Sequence, residues 1–458
     1  MKGLVIYSED YDKASEIKDR LEKQKGYGFD LVSIETLIDI PENISFISSD
    51  WNVSTELYKL ICNQNVEYGI AFYNRYFFSD IDDTAEIDDA LNKAISNKNW
   101  DICKGINRFY LMGDIIRKRD VLKSRPTRLQ IEATDLCNAK CIMCSHAYRN
   151  GTGIDIMQSG ILDRVKDILP YLRVIVLHGN GEPFLKNNIT DYFELLSRYG
   201  IKFIANTNLS VVTDDLLEYF ASDFVELNIS CDGHVPELYE SIRKGLSFDI
   251  FSRNVRLVRE KCPNLLMKMH VVLMRQNLAY MSEIVSFAGE CGFNEVVFNQ
   301  LCPDEKNNNL GDSPGLYMDE FRKNAVQALE KGLSIGIKVI VPDVFNLADD
   351  NDPESESQKK ADVYCDGICD WTVEGPYIDL RGNVAVCCMN QKVILGNLFR
   401  DDFDLIWNGE EYRNLRNMFR GGLLPSFCNG CDFVTQNRLQ YLSTRKAGCR
   451  VLEKKPRD

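Results

Sequence analysis

The sequence predicts an α/β protein: a six-unit partial (β/α) barrel, preceded by a small α/β domain and followed by a cysteine-rich domain. Three observations carry this prediction. Strand-like and helix-like segments alternate from Leu129 to Leu301, the strands among them share one polar parity, and the cysteines gather in two groups, one directly after the first barrel strand and one near the C-terminus.

At 458 residues the chain exceeds one ordinary core, and its boundaries divide as 1–122, an N-terminal α/β domain; 123–310, the partial barrel; 311–363, a helical segment and acidic linker; and 364–458, the cysteine-rich domain with a basic tail. With 45% hydrophobic residues and no apolar run long enough to cross a bilayer, the composition is that of a soluble globular protein. The opening "MKGLVIYSEDYDKASEIKDR" breaks into charge too early for a secretory signal, so a cytoplasmic location is expected. A net charge of -14 gives no footprint for nucleic acid or anionic lipid, and the locally basic tail reads as a solvated end. Sixteen cysteines without an export signal point to metal or redox chemistry in a reducing compartment. Cys62, Cys103, Cys262, Cys291 and Cys302 sit singly and read as small core residues.

In the first domain, "KGLVIYS", "YGFDLVSIETLI" and "YGIAFYNRYFF" are extended, and "YDKASEIKDRLEKQ", "STELYKLICNQ" and "AEIDDALNKAISN" are helical. It holds no phosphate loop, dinucleotide fingerprint or repeat. "KRDVLKSRPTR" reads as the linker out of it.

Six barrel strands are expected near 129–134, 173–179, 202–208, 224–232, 265–276 and 295–301. A parallel strand covered on both faces should be almost continuously apolar, yet here one parity is polar. It carries Glu132 and Thr134, then Asn206 and Asn208, then Glu226, Asn228, Ser230 and Asp232, then Lys268 and His270. Such a face implies a wet, ligand-filled lumen, the candidate active site. Beyond it, "LADDNDPESESQKKAD" is acidic and poor in large apolar residues, as in a mobile linker.

"DLCNAKCIMCSH" sets Cys137, Cys141 and Cys144 at spacings of four and three, in the loop after the first barrel strand. Three such thiolates admit a closed zinc site completed by His146, or three irons of a [4Fe-4S] cluster whose fourth iron stays open. The position, at the mouth of the polar lumen, favours the open iron, because a closed structural site has no reason to lie there.

Here the sequence resembles the radical S-adenosylmethionine enzymes, whose Cys-x3-Cys-x2-Cys loop follows the first strand of a six-unit partial barrel. "HGNGEP", His178 to Pro183, matches the family's Gly-Gly-Glu-type segment, with Gly179 and Gly181 allowing close backbone approach. "ISCDGHVPELYESIRKG" resembles the Ser-x-Asp-Gly segment and the Ile-Arg-x-Gly after it. The resemblance implies that Glu182 binds the amino group of the cofactor's methionine and that Ser230 and Arg243 bind its carboxylate. Arg suits that role because its fork can meet a carboxylate bidentately. Asn208 occupies the position of the family's Thr-Asn-Gly, but Leu209 replaces the glycine. The implied chemistry is reductive cleavage of S-adenosylmethionine to a 5'-deoxyadenosyl radical that abstracts a substrate hydrogen, with a flavodoxin- or ferredoxin-type electron donor.

At the other end, Cys369, twelve residues, Gly382, four residues and Cys387 resemble the first half of the SPASM domain of many such enzymes, around a hairpin in "GPYIDLRGNVAVC". Leu395, Gly396, Trp407 and Arg416 continue the likeness, and Cys428 and Cys431 complete four thiolates. These would hold one auxiliary [4Fe-4S] cluster, as in the shortened, twitch-like form, with zinc as the alternative. Cys365 and Cys388 stand beside these ligands as substitutes or buried thiols, and Cys449 is the one cysteine downstream. The N-terminal domain shows neither the hairpin and winged-helix pattern of peptide-recognition domains nor a cobalamin motif.

Two activities follow, plus a non-catalytic metal scaffold as the third reading. The polar lumen and Met143 favour two-electron oxidation of a small polar molecule, of sugar or aminocyclitol type, with the auxiliary cluster accepting an electron. The alternative is a maturase that crosslinks or epimerises a ribosomally made peptide.

Overall fold

A computed structural model of the chain describes residues 5–7, 69–71, 85–116, 118–144, 160–186, 188–301, 310–342, 369–391, 393–420, 423 and 425–428. His146, Cys62, Cys302, Cys365, Cys431, Cys449, the acidic segment and the basic tail lie outside these residues, as does most of the N-terminal domain. The chain divides into two compact units, residues 1–119 with 444–446, and residues 120–443 with 447–458. Among the described residues no helix is long and apolar enough to cross a membrane.

In the first unit, β1 (Val5–Tyr7) pairs antiparallel with β2 (Gly69–Ala71), and α1 (Ala85–Ser96) is followed by α2 (Trp100–Ile116). α2 buries Cys103, Ile106 and Tyr110, three and four residues apart as a helical stripe requires, with Leu111 widening the stripe. Tyr110 donates its hydroxyl to Asp88 of α1 at 2.6 Å.

The second unit is organised by a ten-stranded sheet. Its parallel part runs β3 (Arg128–Ile131), β4 (Val174–Leu177), β5 (Lys202–Thr207), β6 (Phe224–Ser230), β7 (Leu266–Leu273) and β8 (Glu295–Gln300), with each strand beside its predecessor. All six expected strands are present. A seventh, β9 (Lys338–Ile340), adds to β8 inside the segment expected to be helix and linker. It follows α9 (Met318–Ile335), which stops at Gly336 with φ of 76°, a left-handed conformation natural to glycine.

Crossover helices α3 (Ile161–Val165), α4 (Ile189–Ser197), α5 (Asp214–Ser222), α6 (Pro236–Ile242), α7 (Phe248–Lys261) and α8 (Met281–Glu290) lie between the strands in sequence. The starts of α5 and α7 are fixed by side chains: Thr213 accepts from Leu216 N–H and Ser247 from Ile250 N–H, caps worth about 1 kcal/mol each. The apolar strand parity packs under the helices. Met267, Met269, Val271 and Leu273 of β7 are all fully buried, whereas Lys268, His270 and Val272 are half-buried on the lumen face. Phe193 and Phe203 (ring centroids 4.7 Å apart) and Phe220 and Phe224 (5.0 Å) anchor α4 and α5 on this side.

The cysteine-rich segment belongs to the same sheet. β10 (Tyr377–Ile378) pairs parallel with β3, and β11 (Asn383–Ala385) and β12 (Ile394–Asn397) follow antiparallel. Two helices, α10 (Phe403–Trp407) and α11 (Glu410–Arg420), complete it. The segment expected to be a linker is instead tied down over residues 120–127: Asn408 bonds both the N–H and the C=O of the buried Leu122 at 2.9 Å, and Trp407 Nε1 donates to Ser124 O.

Candidate functional site

The cysteine loop leaves the C-terminal end of β3 and is strapped from two sides. Lys140 N–H donates to Lys244 O at 2.7 Å and Ile142 N–H to Ile242 O at 3.0 Å, so the end of α6 holds one flank. Glu182 N–H donates to Leu136 O at 2.7 Å on the other. Gly181 is required there, since a Cβ would collide with the carbonyls of Thr134 and Leu136; at Gly179 it would strike the Glu132 side chain. Cys141 is buried, and Cys137 and Cys144 are half-buried. The three thiols lie within electrostatic range of one another; burial pushes Cys137 up and Cys141 up to about 11, with Arg243 acting against it.

Glu182 is enclosed. Its Oε1 accepts from Thr207 Oγ1 at 2.5 Å and from Phe184 N–H at 3.4 Å, and its Oε2 accepts from Asn208 N–H at 2.7 Å. Burial pushes its carboxyl up to about 7, against the donors from Asn208, Thr207 and Phe184. Asn208 in turn donates to Asn138 of the cysteine loop at 3.1 Å. Both residues therefore tie the turn after β4, the end of β5 and the loop together. Leu209 adopts φ of 53° and is fully buried, so the backbone keeps a glycine-like conformation without glycine.

Arg243 lies 2.7 Å by Nε from Asp232 Oδ2, an ion pair rather than an aligned hydrogen bond, and its Nη1 reaches Cys141 Sγ at 3.9 Å. Asp232 Oδ1 accepts from Val272 N–H at 2.7 Å. Burial pushes Asp232 up while Arg243 opposes it, and the ion pair holds Arg243 well above the ordinary guanidinium value despite burial. Ser230, two residues before Asp232, is half-buried at the end of β6. Tyr239 Oη, in electrostatic range of Arg243 and Cys141, is buried with no hydrogen-bond partner among the described residues. The sequence carries Asp232 inside the Ser-x-Asp-Gly segment but nothing that marks Tyr239.

The polar lumen parity forms a hydrogen-bonded belt. Gln130 Nε2 and Asn206 Nδ2 both point to His178 Nδ1, at 2.9 and 3.4 Å. Asn228 donates to Asn206 at 3.1 Å, His270 Nε2 meets Asn228 Oδ1 at 2.9 Å, and Asn299 approaches His270 Nδ1 at 3.2 Å. Burial holds both imidazoles down to about 4, so they are neutral. One layer toward the strand starts, Lys268 is paired with Glu226 at 2.6 Å and lies 3.8 Å from Glu295.

The second group forms beside β11. Cys387 and Cys428 each lie in electrostatic range of Cys369, and burial pushes Cys369 up to about 12. Tyr412 Oη is buried near Cys387 and Cys369. Arg416, 1% exposed, fixes the surrounding segments by donating to the carbonyls of Thr372, Asp120 and Trp407, each at 2.8 Å. Cys388 donates its N–H to Gln130 Oε1 at 3.3 Å, and Gln391 accepts from Asn180 at 3.3 Å, so this segment touches the turn at 179–181.

A family description of the radical SAM superfamily matches residues 131–288, and one of an iron-sulfur cluster-binding SPASM domain matches residues 369–432. The mycofactocin maturase MftC of Mycobacterium tuberculosis is 26% identical over 67% of this chain and 75% of its own length. A tungsten-containing aldehyde ferredoxin oxidoreductase cofactor-modifying protein of Pyrococcus furiosus is 22% identical over 67% of this chain and 89% of its own. Among solved structures, Streptococcus suis SuiB bound to S-adenosylmethionine superposes with a TM-score of 0.54 at 17% identity, covering 86% of this chain and 93% of that one. SuiB bound to its precursor peptide SuiA gives 0.52 at 15%, covering 84% and 83%. At such identities these two show the fold alone. The strapped three-cysteine loop at the mouth of a parallel partial barrel, the second cysteine group and both family matches agree: the chain carries a radical SAM domain over residues 131–288 and a C-terminal SPASM domain over residues 369–432, domains that imply [4Fe-4S] clusters and S-adenosylmethionine.

Proposed function

We propose that this enzyme is a peptide maturase, modifying a residue within a ribosomally made precursor peptide. The observation that carries this reading is the 26% identity to a mycofactocin maturase across two thirds of the chain. The lumen supports it. The polar residues that favoured a sugar or aminocyclitol are engaged with one another, Lys268 by Glu226 and His270 by Asn228 and Asn299. What remains is a floor of carboxamides and neutral imidazoles, a surface suited to peptide carbonyl and amide groups.

We assign Cys137, Cys141 and Cys144 as ligands of the cluster that binds S-adenosylmethionine. The donor set fits such a group: the three thiols lie within electrostatic range of one another on a loop held from both flanks, and the buried Tyr239 Oη lies within range of Cys141. When bound, the group supplies one-electron reductive cleavage of a sulfonium and so a hydrogen-abstracting radical. Gly179 and Gly181 let the backbone approach the cofactor, and Ser230 and Arg243 face its carboxylate. Glu182 and Asn208 act by holding the loop and the turn in register. Cys369, Cys387, Cys428 and Cys431 are assigned to an auxiliary cluster that takes up an electron from the substrate. The neutral, hydrogen-bonded His178 and His270 orient substrate rather than accept its proton.

The test is anaerobic turnover of the reconstituted holoenzyme with synthetic peptides encoded by short reading frames beside its gene, reading 5'-deoxyadenosine and peptide mass together. A mass change in one peptide is expected. Turnover of an aminocyclitol or sugar with every such peptide left unchanged would overturn the proposal.

A further inference from the structure

Asp232 is fully buried, and each of its carboxylate oxygens has a separate task. Oδ1 receives Val272 N–H of β7, which anchors the carboxylate to the barrel wall, and Oδ2 faces Arg243 Nε at 2.7 Å. The far end of the same guanidinium lies on Cys141 Sγ. Arg243 is 8% exposed, so water screens this arrangement poorly. Glu182, a second acid within range of Arg243, is already engaged by Thr207 and Asn208.

The reduction potential of an iron-sulfur cluster depends on nearby charge and on hydrogen bonds to its sulfurs. An uncompensated cation beside a ligand thiolate favours the more negative, reduced state and so makes the cluster a weaker reductant. We propose that Asp232 is a positioning residue that aims Arg243 at Cys141 and cancels its charge, keeping the cluster on Cys137, Cys141 and Cys144 strongly reducing. The inference rests on that ligand assignment and not on the identity of the substrate.

Asp232→Asn separates charge from shape, because Asn retains an oxygen for Val272 N–H. The holoenzyme without S-adenosylmethionine is titrated against potential and followed by electron paramagnetic resonance. The midpoint of the barrel cluster should rise in Asp232→Asn while that of the auxiliary cluster stays put. The double variant Asp232→Asn with Arg243→Gln is neutral again, and its midpoint should return to the wild-type value or below. An unchanged or lowered midpoint in the single variant, or a midpoint still raised in the double one, overturns the inference. If the single variant fails to hold the barrel cluster, recovery of that cluster in the double variant supports charge cancellation, and continued loss refutes it. A wild-type protein without a barrel cluster would instead refute the ligand assignment itself.

Discussion

Glu182 and Thr207 are joined by a 2.5 Å hydrogen bond, donated by the threonine hydroxyl, that ties the turn after β4 to the end of β5. With Asn208 N–H on the other carboxylate oxygen, the acid serves the protein before any ligand arrives. Glu182→Gln places an amide donor against one of these donors and should cost about 1–3 kcal/mol of stability. Chemical denaturation checks this, alongside equilibrium binding of S-adenosylmethionine. A loss of affinity with stability unchanged would make Glu182 a direct ligand instead.

Leu209 reverses an ordinary rule. At most positions glycine destabilises more than alanine, but at φ of 53° any Cβ is strained by about 1–2 kcal/mol. Leu209→Gly and Leu209→Ala should both lose stability, by about 2–5 kcal/mol for the vacated core volume, with the glycine variant the more stable by about 1 kcal/mol. Denaturant midpoints of the three proteins test the order.

Arg416→Lys should cost about 3 kcal/mol or more, because one ammonium cannot reach the three carbonyls that the planar fork spans. Thermal unfolding should show the drop, and it should exceed that of the exposed Arg198→Lys, whose partner is Glu194 four residues away.

The belt histidines make folding sensitive to acid. Both are held down to about 4 in the fold, whereas the unfolded chain protonates them near 6.5. Their contribution is complete above pH 6.5 and is lost as the pH falls toward 4, by up to about 3 kcal/mol each. Glu182, pushed up to about 7, acts in the opposite sense between about 4.5 and 7, so the measurement is the difference between wild type and His178→Gln with His270→Gln. That difference should grow with pH from 4 to 6.5 and then level.

The holoenzyme should carry on the order of eight irons per chain, four for each cluster. Replacing Cys428 and Cys431 together by Ala should remove half of them and abolish product while 5'-deoxyadenosine still forms. Iron analysis and product mass read the two effects separately, with circular dichroism checking that the domain remains folded. Product at the wild-type rate would make the auxiliary cluster a structural staple.

The barrel strands are legible in sequence because their two faces meet different surroundings: Met267, Met269 and Val271 pack under helices while Lys268 and His270 meet the lumen. The cysteine loops are legible because spacing and position are local properties. The ion pair of Asp232 with Arg243 and the orphaned hydroxyl of Tyr239 are not, since they depend on how α6 returns against the cysteine loop. How the polar face is used is not legible in sequence for the same reason. A row of Asn, His, Lys and Glu looks like a set of free ligands until Asn228, His270 and Asn299 are seen to satisfy one another. β9 escapes because three residues after a long helix carry too little pattern.

β10 lies along the outer side of β3, where Gln130 N–H donates to Pro376 O and Glu132 N–H to Ile378 O, both at 3.0 Å. Cutting the chain before the cysteine-rich segment would bare these groups beside the apolar Leu129 and Ile131, a template for self-association. The auxiliary domain is therefore also a guard against aggregation, covering the edge that the barrel's first strand would otherwise expose.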